Sequence, residues 1–180
     1  MENLVYAIIL LPLVGFLING LFGKNLPKIF VGSLATLVVF DSFGIAAYLF
    51  LNFSSESQPV IVRAFEWFRV NGMQINFGFQ IDQLSLMMIM IITGIGTLIH
   101  IYSIGYMSHD KGFYKFFTYL NLFIFSMLLL VMGSNYLILF IGWEGVGVCS
   151  YLLIGFWYEN WEYGKAARKA FIMNRIGDLG

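Results

Sequence analysis

Five stretches of nearly uninterrupted apolar residues constrain this chain more than any other feature: Leu4 to Phe22, Ile29 to Phe53, Leu84 to Tyr106, Phe113 to Met132 and Tyr136 to Tyr158. A helix needs about 20 such residues to cross the hydrocarbon of a bilayer, so each stretch predicts a transmembrane span. Leu4 to Phe22 lacks a basic n-region and is longer than a signal-peptide core, so it is expected to be a retained span. Composition agrees. Only 11% of residues are charged, against about 25% in soluble domains, and the mean hydropathy is +0.81. A sixth segment opens near Tyr163 with Lys165, Arg168 and Lys169, turns apolar at Phe171 and reaches Gly180 unfinished, which predicts a longer subunit.

The expected fold is all-α: a polytopic transmembrane helix bundle with five complete spans and the start of a sixth. Residues 1–53 would hold two N-terminal helices, 54–82 an extramembrane hairpin, and 83–180 helices three to six, the last truncated. In the hairpin region, Ile61 to Phe68 and Met73 to Gln80 flank an Asn71-Gly72 dipeptide, the strongest short signal for a two-residue β-turn. Asp82 stands as an N-cap for span three. Lysines and arginines fall after spans one (Lys24, Lys28), three (Lys111, Lys115) and five (Lys165, Arg168, Lys169), all on one side. The positive-inside rule therefore places the N-terminus and the hairpin outside.

Charge and cysteine content exclude several function classes. Ten basic residues balance ten acidic ones, leaving no basic surface for a phosphate backbone, so nucleic acid is not an expected partner. Cys149 stands alone in an apolar run far from both histidines, which gives neither disulfide nor metal-ligand spacing. The aromatic residues suit lipid-facing and interfacial positions, and no cofactor is expected on this chain.

Ionisable residues inside a membrane are costly and mark functional sites by default. Glu144 lies eight residues into span five, roughly 12 Å along the helix. Burying its carboxylate there costs about 2.5–3.5 kcal/mol, which favours proton uptake and makes it a candidate proton carrier. Gly142, Gly145 and Gly147 clear space around it for a neighbouring helix or for water. On the sixth segment Arg168, Arg175 and Asp178 share one face and form a candidate charged relay, or a pair that only neutralises buried charge. On span three, Thr93, Thr97, His100 and Ser103 form a polar stripe in which His100 is a candidate for proton transfer or for a cross-helix hydrogen bond. Asp41, mid-span in the second helix, reads as a packed or subunit-interface carboxylate, and His109 and Asp110 as solvated loop residues.

The run GWEGVGVCSYLLIGFWY (Gly142 to Tyr158) resembles the subunit L family of bacterial NADH:quinone oxidoreductase, respiratory complex I, equivalent to chain 5 of the mitochondrial enzyme. The resemblance extends through FGFQIDQLSLMM (Phe77 to Met88), LIHIYSIGYM (Leu98 to Met107), FFTYLNLFIFSMLLLV (Phe116 to Val131) and KAFIMNRIGDLG (Lys169 to Gly180). It implies an antiporter-like, proton-translocating subunit of the membrane arm, with redox chemistry and quinone elsewhere in the complex. By motif, Glu144 matches the family's key glutamate, paired with a lysine on a later broken helix beyond Gly180, and Arg175 and Asp178 match charged positions on the following helix. The implied partners are other membrane-arm subunits, the lipid bilayer and protons, and the implied location is the bacterial inner membrane in preference to the mitochondrial one. The rival readings are the large subunit of a multi-subunit sodium/proton antiporter, which the Trp143 to Gly147 context disfavours, and a structural arm segment, which would tolerate a neutral residue at Glu144.

Overall fold

The computed structural model describes residues 2–53, 58–70 and 73–179. Its elements are α1 (Glu2–Phe22), α2 (Lys28–Asn52), β1 (Val60–Val70), β2 (Met73–Ile81), α3 (Gln83–Tyr106), α4 (Phe113–Met132), α5 (Tyr136–Ile154) and α6 (Trp161–Leu179). The first five helices are long and apolar enough to span a membrane. The first four helices start or end within two residues of the expected limits, and the boundaries around the α5–α6 corner differ for identifiable reasons. Span five ends at Ile154 rather than Tyr158, because the chain turns at Gly155 and swings Phe156 onto the rings of Phe116 and Tyr119, 5.4 and 6.5 Å away. Helix α6 starts at Trp161, two residues before the predicted Tyr163, where Asn160 Oδ1 accepts the Glu162 N–H at 3.0 Å.

Strands β1 and β2 pair antiparallel from Val60 opposite Ile81 to Val70 opposite Met73, with register shifts between Arg63 and Phe65 and between Glu66 and Phe68. The predicted Asn71-Gly72 turn lies outside the described residues. The hairpin is tied to the α4–α5 link: Ser134 N–H donates to the Gly78 carbonyl at 3.2 Å, and the Asn135 amide donates to the Asn76 carbonyl at 2.8 Å. Asp82 caps α3 as expected, with a reciprocal capping box: Ser85 N–H donates to Asp82 Oδ1 at 2.7 Å and Asp82 N–H to Ser85 Oγ at 2.8 Å. The Ser85 backbone N–H holds the Asp82 carboxyl below its ordinary range.

Between the spans, α1, α2, α3 and α4 enclose the main apolar core, with Ile8, Val39, Leu86, Ile89, Leu128 and Met132 fully or nearly fully buried. Pro12 interrupts α1 and cannot donate to the Ile8 carbonyl one turn back. The Ser42 hydroxyl of α2 takes over that acceptor at 3.1 Å, sharing its proton with the Val38 carbonyl at 2.9 Å. A hydroxyl from a neighbouring helix is how a membrane interior tolerates such a break.

At the opposite end from the hairpin, the α1–α2, α3–α4 and α5–α6 connections converge around an open cleft of about 1130 Å³, bordered by Lys24, Lys28, Lys111, Lys115, Asp110 and Trp157. All the predicted basic loops therefore reach one end of the bundle. His109 is exposed, as expected. Asp110 departs from that reading: it is only half-buried, yet its carboxylate accepts from Trp157 Nε1 at 2.9 Å and from Gly112 N–H at 2.6 Å. The Trp157 indole N–H, followed by the Gly112 amide, holds the Asp110 carboxyl below its usual range.

Candidate functional site

Helices α5 and α6 bring three of the candidate residues into one group. Arg175 Nη1 forms an ion pair with Glu144 Oε2 across the two helices, and lies 3.5 Å from Asp178 Oδ2 on its own helix. The Arg175 guanidinium also stacks 4.6 Å from the centroid of the Phe171 ring, a cation–π contact that orients its plane. Asp178 receives a further hydrogen bond at 2.6 Å from the indole Nε1 of Trp143.

The glycines of α5 make this arrangement possible by different routes. A Cβ at Gly142 would stand 2.4 Å from the backbone nitrogen of Leu130, so its absence lets α4 and α5 approach backbone to backbone. A Cβ at Gly145 would meet Ser126 Oγ at 2.6 Å. Gly147 faces the other way, and a Cβ there would lie 3.3 Å from Arg175 Nη2. Glycines on two faces of α5 thus set it against α4 and clear the seat of the guanidinium.

The group holds two carboxylates and one arginine, so uptake of a single proton brings it to neutrality. Asp178 has a hydrogen bond from Trp143 and the nearby charge of Arg175, and Glu144 has the Arg175 ion pair. The side chains of Glu144 and Arg175 are each 27% exposed in this chain.

Three other candidates lie apart from this group. Arg168 stacks over the Trp161 ring at 5.0 Å and is not part of the relay proposed for its helix face; seven residues separate it from Arg175, enough to leave it at the charged foot of α6. His100 is buried with the rest of its stripe, Thr93, Thr97 and Ser103. Its hydrogen bonds go to the Gly96 carbonyl at 2.7 Å and to Asn121 Oδ1 of α4 at 3.0 Å. Asp41 is exposed on the outer face of α2 and is not packed within this chain.

Two residues were not anticipated. Trp143 directly precedes Glu144, but its acceptor lies 35 residues away on another helix, and no periodicity rule links the two. Asn121 had a legible signal, a polar amide in the middle of an apolar span.

Two family profiles match the chain: NADH-Ubiquinone oxidoreductase (complex I), chain 5 N-terminus, over residues 67–117, and NADH:quinone oxidoreductase/Mrp antiporter, TM, over residues 133–180. The fold overlays on a chain of the membrane-bound sulfane sulfur reductase, an archaeal respiratory membrane complex, with a TM-score of 0.82 over 98% of this chain and 35% of that one, at 18% identity. NADH-quinone oxidoreductase subunit L of Campylobacter jejuni is 50% identical over 180 residues, all of this chain and 29% of the relative. Subunit L of Mycobacterium tuberculosis is 45% identical over 178 residues, 97% of this chain and 28% of the relative.

Helices, hairpin and charged group together define a multi-pass, antiporter-like membrane subunit. The chain belongs to the subunit L family of NADH-quinone oxidoreductase. It spans less than a third of the length of the curated relatives it matches.

Proposed function

We propose that this chain carries part of a proton-translocating pathway of NADH:quinone oxidoreductase, with Glu144 as the proton carrier and Arg175 as the cation that sets its charge. The observation that carries the reading is the position of Arg175 between two carboxylates, Glu144 and Asp178. A displaced guanidinium changes the relative cost of ionising the two, so a shift of charge nearby loads or unloads Glu144. Electron transfer elsewhere in the complex would supply that shift, and the redox cofactors and quinone belong to other subunits in this reading. The lone Cys149 and the well-separated His100 and His109 support it, because they offer no ligand set.

The subunit would sit in the bacterial inner membrane, with the lysine-bordered cleft facing the cytoplasm and the hairpin facing outward. Asp41 marks the face of α2 on which another membrane-arm subunit packs, since a carboxylate left in lipid is costly. The test is NADH-driven proton pumping in vesicles holding the full-length subunit within its complex, Glu144→Gln against wild type at matched assembly. The reading expects pumping to collapse with assembly intact. Unchanged pumping would favour a structural arm segment.

A further inference from the structure

We propose a second proton-binding site, outside the Glu144 group, at His100, whose protonation is coupled to the orientation of the Asn121 amide and to a buried water between Asn121 and Asn19. The geometry of the imidazole is the starting point. Nδ1 lies 2.7 Å from the Gly96 carbonyl, so that nitrogen carries a proton. Nε2 lies 3.0 Å from Asn121 Oδ1, which only accepts, so this contact needs a proton on Nε2 as well. With the amide oxygen turned to the ring, the bound form is the imidazolium. A neutral ring presents a bare Nε2 lone pair, and then the Asn121 amide must turn so that Nδ2 donates to it. Protonation of His100 and the orientation of one amide are thus a single two-state event: Nε2 gains a proton, the amide exchanges its donor for its acceptor, and whatever bonds the amide's other end makes the opposite exchange.

The amide's other end shows what the exchange would act on. Asn121 Nδ2 and Asn19 Oδ1 are both buried without a partner among the described residues, although each residue's other terminal atom is bonded. Asn121 Nδ2 faces α1 at Gly15, where a Cβ would lie 2.5 Å from it, and Asn19 is one turn further along the same face. A water between them would accept from one orphan and donate to the other, satisfying two buried groups that are otherwise costly. Asn19 Nδ2 in turn reaches the Val31 carbonyl at 3.4 Å, and Val31, Gly23 and Tyr114 border the cleft. Asn19 lies one turn above Gly23, so the buried pair stands just above the floor of that cleft.

Around the ring, α4 contributes Phe117, 6.0 Å away between centroids, and Asn121. The charged and titratable groups of the packed elements and their connections stand elsewhere: Lys24, Lys28, His109, Asp110, Lys111, Tyr114 and Lys115 border the cleft, and Asp41 faces outward from α2. Near the remote ends of α1 and α3 are Glu2, Tyr6 and the capping Asp82, while Tyr48, Tyr102, Tyr106 and Tyr119 complete the set. Proton binding at His100 is therefore decided by the amide and the water and not by an ion pair.

The test is isotope-edited infrared spectroscopy of the intact complex carrying ring-15N histidine, titrated from about pH 5 to pH 9, with His100→Gln subtracted to isolate the one ring. The expected result is an imidazole-to-imidazolium transition present in wild type and absent from the variant. In Asn121→Asp, a near-isosteric change, the imidazolium form should persist to higher pH by about one unit or more, because the acceptor is now charged. A ring in wild type that stays in one protonation state across the range overturns the proposal, whatever the Asn121→Asp protein does, and leaves His100 as a fixed cross-helix contact.

Discussion

The α5–α6 group and the α3–α4 pair solve the same problem in opposite ways. Glu144, Arg175 and Asp178 are ionised side chains kept partly open, with ion pairs and one indole donor compensating each charge. His100 and Asn121 are enclosed, and hydrogen bonds to a carbonyl and an amide take the place of charge. The difference teaches where each kind of proton site is affordable. The full charges of α5 and α6 sit beside counter-charges, whereas the ring of α3 has a carbonyl and an amide as its partners.

The sharpest way to break this contrast is to remove what is special to the charged side. Glu144→Gln should abolish NADH-driven pumping, while Asn121→Leu, which empties the buried side of its acceptor, should leave at least part of it; equal loss in both would erase the distinction. A smaller effect is expected from Trp143→Phe, which deletes the 2.6 Å donor to Asp178 and keeps the ring. Loss of a charge-assisted hydrogen bond worth about 1.5–3 kcal/mol should lower pumping without abolishing it, measured at equal assembly. Gly142→Ala should act on packing rather than charge: its Cβ would collide with the Leu130 backbone, at about 1–3 kcal/mol, and reduced thermal stability of the complex with normal activity per assembled copy is the expected outcome.

The smallest effect lies outside both regions. Asp82→Ala removes the cap of α3 and should lower stability by about 1 kcal/mol. The Asp82 carboxyl is held below its ordinary 3.8 in the folded protein, first by the Ser85 amide. Its contribution is therefore present above that pH and lost as pH falls through the lower folded value, so the gap between variant and wild type in thermal melts should close on acidification.

Much of the fold was legible because apolar length is a direct physical requirement of the bilayer. Four of the five spans ended within a residue or two of their predicted limits, and the fifth did not because Phe156 found aromatic partners on α4 that hydropathy does not encode. The Asp82 cap was readable for a similar reason, since both partners of the box are three residues apart. Glu144, Arg175 and Asp178 announced themselves as charges in apolar surroundings. Their meeting, however, depends on the α5–α6 corner, where Ala167 packs against Gly155, and that corner fixes which way Arg175 points. The same holds for Trp143 and for the Asn19–Asn121 facing pair, whose contacts run between helices distant in sequence.

The central claim is that Glu144 and Arg175 act as one unit. Pumping by Arg175→Gln in the assembled complex, set against wild type and Glu144→Gln, tests it most directly. The account predicts that Arg175→Gln loses pumping as Glu144→Gln does at matched assembly. Wild-type pumping by Arg175→Gln would mean that Glu144 works without the guanidinium, and that the shared-guanidinium mechanism is wrong.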